Sequence, residues 1–103
     1  MAAPETLIPG TTQRDLREYT TSEGDLVVAR RRRPLAWLVT ATANDADLTT
    51  VQGIVTRNEA GFAGRQWESA IDGQQHPSLT AACRAAVSLA RQRADIAAFI
   101  KRG

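Results

Sequence analysis

PSLTAACRAAVSLARQRADIAAFIK, residues 77–101, decides the fold of this chain. On a 100° wheel, Leu79, Ala82, Cys83, Ala86, Leu89, Ala90, Ala97 and Ile100 fall on one side, with Arg84, Ser88, Arg91, Gln92 and Asp95 opposite. That is the period of an amphipathic helix. Pro77 suits a first helical turn, and the Ser78 hydroxyl can accept from the unpaired N–H groups there. The apolar stripe is mostly alanine and cysteine in its first three turns, which lets a helix approach a sheet, or a second copy of itself, closely. Two residues depart from the pattern: Arg93 lies inside the apolar arc and Phe99 outside it. We read one continuous helix with Arg93 snorkelling to solvent. The alternative is a bend near residues 91–95, with Ile96, Phe99 and Ile100 forming a patch of their own.

Such a helix needs a surface to pack on, and the segments before it read as strands. Residues 26–31 centre on Val27 and Val28. In residues 35–43, Leu35, Trp37, Val39 and Ala41 alternate with Ala36, Leu38 and Thr40; both faces are apolar enough for a central strand. Arg32-Arg33-Pro34 between them marks a hairpin tip, since Pro cannot donate to a ladder. Residues 49–57 place Val51 and Val55 on one face and Ile54 on the other. Asn58-Glu59-Ala60-Gly61 reads as a four-residue turn, leading into a fourth strand over residues 62–71. The predicted fold is therefore α+β: an antiparallel four-stranded meander with one long C-terminal helix packed on one face. Residues 1–11 carry two prolines, a glycine and no periodicity, and read as a flexible tail. Residues 12–19 read as a short N-terminal helix, with Thr12 and Asp15 in capping-box-like spacing. Residues 12–103 make a single domain.

Composition narrows the function. A chain of 103 residues with only 5% aromatics builds a modest core, which makes a homodimer a natural way to bury more apolar surface. The 13 basic residues are 12 arginines and Lys101, a bias that a GC-rich genome would produce by itself. Net charge is +2, but it is unevenly spread: residues 1–25 hold two arginines against five acids, and the remainder holds 11 basic residues against six acids. The body is more basic than the total suggests. A single cysteine, Cys83, excludes an internal disulfide and a cysteine-based zinc site. The opening MAAPETLIPG has no charged segment followed by an apolar one, and no apolar run approaches the ~20 residues of a membrane span, so a cytoplasmic protein is expected.

Arg30-Arg31-Arg32-Arg33 is the most unusual motif. Four adjacent guanidinium groups repel one another and are easiest to hold in solvent or against an anion. A hairpin carrying them can lie along phosphates, which the planar guanidinium meets with two parallel hydrogen bonds. Arg57 and Arg65, on either side of the next hairpin, would extend that surface. The competing reading is a solvated edge in an arginine-biased sequence. Trp37 reads as core. Trp67 shares its face with Arg65 and Ser69, an aromatic beside an arginine as on a single-strand platform. His76 and Cys83 lack an orienting third group for nucleophilic catalysis, and Asp45, Asp47 and Asp72 read as turn residues. No catalytic residue, metal ligand, cofactor or small-molecule substrate is expected.

The element order, a short helix, a meander and a long Ala-rich helix, resembles double-stranded-RNA-binding domains, and a sheet with one helix is similar to plant-type and integrase-arm DNA-binding domains. Ser78, Leu79, Thr80 and Ala81 stand where the RNA-binding family has basic residues, which counts against double-stranded RNA. The function expected is non-enzymatic: a small regulatory protein that contacts nucleic-acid phosphates through Arg30, Arg31, Arg32, Arg33, Arg57 and Arg65. The alternative is a protein-interaction module, a homodimer or accessory subunit, that uses the open sheet face or Ile96, Phe99 and Ile100.

Overall fold

A computed structural model describes residues 6–58 and 66–102 of the chain. Seven antiparallel strands form one sheet in sequence order: β1 (Ile8–Gln13), β2 (Leu16–Thr20), β3 (Leu26–Arg33), β4 (Ala36–Thr42), β5 (Thr50–Asn58), β6 (Gln66–Ser69) and β7 (Gln75–His76). The sheet curls as a half-barrel, and α1 (Leu79–Arg102) packs against β3 to β7. The α+β class stands, but the four-stranded meander does not: three further strands, β1, β2 and β7, join it.

The short helix expected at residues 12–19 is instead a hairpin turning at Arg14-Asp15. Residues 16–20 pair with β3 at five consecutive positions, and this ladder outweighs the cap-like Thr12/Asp15 spacing. β1 begins at Ile8, inside the segment read as a tail. The β3–β4 turn also differs. β3 runs through Arg33, so the turn is Pro34-Leu35, and a bulge between Arg31 and Arg33 shifts the register. The predicted turn at residues 58–61 falls mostly outside the described residues, as does the start of the strand expected over residues 62–71; of its described part, β6 ends at Ser69, and Ala70 and Ile71 already belong to the turn.

The core lies between the sheet and α1. Val27, Ala29, Trp37, Val39, Ala41, Val51 and Val55 face Ala82, Cys83, Ala86, Val87, Ala90 and Ala94. Alanines in the helix stripe allow the close approach expected of them. Gly53 makes the same allowance in the sheet: a Cβ there would stand 2.7 Å from the Ile71 side chain and 3.2 Å from its backbone N. The chain after β6 is tied there, with Ala70 N donating to Ile54 O at 2.9 Å.

The helix is continuous over 24 residues, and Ser78 Oγ accepts from Ala81 N at 3.0 Å as its cap. Its buried stripe drifts toward Val87 and Ala94, which leaves Arg93 exposed without snorkelling. Beyond Ala94 none of residues 95–101 is buried. Phe99 is 77% exposed, with Ile96 and Ile100 beside it in solvent. Replacing Phe99 and Ile100 together by Ser is therefore expected to change folding stability by less than about 0.5 kcal/mol, read as a chemical-denaturation midpoint. No helix among the described residues is long and apolar enough to cross a membrane.

One buried polar cluster fixes α1 on the sheet. Asp25, fully buried at the start of β3, accepts from Arg91 Nε at 3.2 Å, from Arg91 Nη2, and from Asn44 N at 2.7 Å. Glu23 and Asp95 approach the same guanidinium at 3.2 and 3.7 Å. Further along, Lys101 pairs with Asp47.

Candidate nucleic-acid interface

Strand register decides where each arginine points. Arg30 pairs with Leu38 and Arg33 with Ala36, on the face turned away from the helix. Arg31 pairs with buried Trp37 and so belongs to the helix side. Arg32 is the extra residue of the bulge, a device that redirects side chains and bends a strand. The four arginines thus do not form one row. They fan out around the end of β3, which separates their charges.

The β1–β2 turn meets this end. Arg31 N donates to Asp15 O at 2.9 Å, and the Arg31 guanidinium reaches the Asp15 carboxylate at 3.5 Å. Arg14 is carried to the same place. Arg14, Arg31, Arg32 and Arg33 surround a hollow of about 280 Å3, with Asp15 and Pro34 completing its lining. Four guanidinium groups face one carboxylate there. Arg14, Arg32 and Arg33 are exposed and form no ion pair with a described acid. The hollow suits a multiply charged anion, because each guanidinium offers paired donors to phosphate oxygens and the excess positive charge has no partner among the described residues.

Sequence reasoning missed Arg14, which stands alone in the chain. No local pattern marks it: Arg14 reaches this place through the β1–β2 turn, which the pairing of β2 with β3 sets at this end of the sheet. Of the residues expected to extend the patch, Arg65 lies outside the described residues. Arg57 is at the same end of the sheet, its N donating to Leu35 O at 2.8 Å, but its side chain turns to the helix side, with its guanidinium carbon 6.0 Å from the centre of the Trp67 ring. Arg17 sits likewise over Trp37 at 5.6 Å. Of the partner-binding residues expected, Ile96, Phe99 and Ile100 lie exposed on the last turns of α1, at the opposite end of the sheet, where Arg91 meets Asp25 and Lys101 meets Asp47.

The other candidates have local duties. Asp45 closes the β4–β5 loop by accepting from Thr49 N at 2.9 Å and Thr49 Oγ1 at 3.0 Å, and the backbone bond holds its carboxyl below the ordinary range. His76 hydrogen-bonds Asp72 at 2.9 Å across the turn before β7. Cys83 is fully buried, and burial pushes its thiol up to about 12. It is expected to resist thiol-specific reagents at pH 8 in the native protein and to react fully once denaturant is added, as mass spectrometry would show. No group of three acidic, cysteine or histidine side chains among the described residues is arranged to hold a metal. No family model, curated protein or solved structure matches the chain.

Proposed function

We propose that this protein binds nucleic acid through its phosphate backbone at the basic end of the sheet. The observation that carries the reading is the convergence of Arg14 with Arg31, Arg32 and Arg33 from two separate turns, with Asp15 the one acid lining their hollow. Arg30 adds to it from the adjoining open face. Phosphate contacts of this kind position a protein on nucleic acid and confer no base readout, so the binding is independent of sequence. The role is non-enzymatic and the location cytoplasmic, where nucleic acid and a reduced Cys83 coexist.

Binding of labelled short DNA, duplex and single-stranded, across a salt series tests this. If Arg14, Arg30, Arg32 and Arg33 each neutralise one phosphate, log K falls with log salt at a slope of about −4, a loss of about 100-fold between ~50 and ~200 mM. Absence of binding at ~50 mM salt overturns the reading.

One observation favours a second reading, a protein-interaction module. Ile96, Phe99 and Ile100 stand exposed on the last turns of α1, and Leu26 and Ile54 stand exposed on the open sheet face. A homodimer through either surface would appear in sedimentation as a doubled mass, lost on Phe99→Ser for the helix or Ile54→Ser for the sheet.

A further inference from the structure

The helix side of the sheet carries two more arginines at the basic end, and each is matched to a tryptophan. Across the strands run Arg17 on β2, Arg31 on β3, Trp37 on β4, Arg57 on β5 and Trp67 on β6. Arg17 lies over Trp37 and Arg57 lies over Trp67. The two rings are two strands apart, about 10 Å. They differ in exposure. Trp37 is buried and serves as floor, whereas Trp67 is half-buried and so are Arg17, Arg31 and Arg57. Core filling accounts for Trp37. Trp67 packs only in part against that core: it stays partly exposed at the basic end of the sheet, with the Arg57 guanidinium over its ring.

We propose that this strip of Arg17, Arg31, Arg57 and Trp67 is a platform for single-stranded nucleic acid, on which Trp67 stacks an unpaired base while Arg31 continues the phosphate track of the hollow. The proposal rests on the phosphate-binding reading above and names its substrate class. Stacking on an indole needs a base face free of its complement, which a duplex does not present. Arg31 belongs to both surfaces: it lines the hollow and stands on the helix side opposite Trp37. A strand whose phosphates follow the arginines from the hollow would thus meet Trp67 from the side of Arg31 and Arg57. Stacking tolerates any base, so this mode is as indifferent to sequence as the phosphate contacts are.

Tryptophan fluorescence separates the two claims. In a Trp37→Phe variant the only indole is Trp67. Oligothymidine at ~50 mM salt is expected to quench its emission, whereas inorganic polyphosphate, which offers the charge without bases, is expected to bind without quenching. Trp67→Leu keeps apolar volume against the core but removes the stacking surface. It is expected to weaken oligothymidine binding about tenfold and to leave polyphosphate and duplex binding unchanged. Should Trp37→Phe fail to fold, wild-type protein labelled with fluorotryptophan gives two fluorine resonances, and the one missing in Trp67→Leu must be the one that moves with oligothymidine. Oligothymidine binding without any effect on Trp67, or an equal loss of polyphosphate affinity in Trp67→Leu, overturns the platform alone. If neither oligothymidine nor polyphosphate binds, the phosphate-binding reading fails and the platform with it.

Discussion

Replacing Asp25 by Ala is expected to cost about 3 kcal/mol of folding stability, a large loss for a single polar side chain. The carboxylate is fully buried and accepts from the Arg91 guanidinium and from Asn44 N. Truncation leaves that part-buried N–H without its acceptor and leaves Arg91, itself mostly buried, with only the exposed Glu23 and Asp95 for charge. For a domain of this size such a loss lowers the melting temperature by roughly 10–20 °C. The same cluster sets an acid limit. Burial alone would raise the Asp25 carboxyl, but hydrogen bonds from Arg91 and Asn44 N, with the Arg91 charge, outweigh it and hold the group below the ordinary range. The folded state therefore binds this proton less readily than the unfolded one. Its contribution is complete above the ordinary aspartate value near pH 4 and is lost as pH falls below it. Urea midpoints between pH 3 and 7 are expected to fall steeply at the acid end in the wild type and less so in Asp25→Asn. A loss below about 1 kcal/mol in Asp25→Ala would show that the cluster does not anchor the helix.

Changing Arg14, Arg32 and Arg33 together to Ala is expected to reduce DNA affinity at ~50 mM salt about 100-fold and to flatten the salt slope from about −4 to about −1. These three line the hollow without a described acid partner, so their removal costs the fold little and the ligand much. Arg31 is kept in this variant because its ion pair with Asp15 ties the β1–β2 turn to β3. Asp15→Asn tests the same electrostatics with opposite sign, since it removes the one carboxylate facing the cluster and is expected to tighten binding several-fold. A triple variant with wild-type affinity and slope would place the phosphate contacts elsewhere.

How much of this was legible in the sequence follows from how each element is stabilised. The 3.6-residue period of α1 survives because one stripe is buried along most of its length; its start is fixed by the Ser78 cap. β3 to β5 were legible because Val27, Val39, Val51 and Val55 repeat at strand spacing against that helix. β1 is exposed at every position and β7 has two residues, so neither has a buried face to impose a pattern. Sheet pairing alone forms them, and pairing partners are not written in local sequence. The arginine run was visible, but its division was not: the bulge at Arg31–Arg33 sends neighbouring side chains to different faces, and Arg14 joins them only through the hairpin that a helix-like spacing concealed.

The central claim is that nucleic acid is held by the two turns at the basic end. Amide chemical-shift mapping with a short oligonucleotide at ~50 mM salt tests it most directly. The account predicts shifts concentrated in residues 13–17 and 30–36, carried onward to Trp67 when the ligand is single-stranded, with residues 92–102 unmoved. Shifts confined to residues 92–102, or none at saturating DNA, would contradict it.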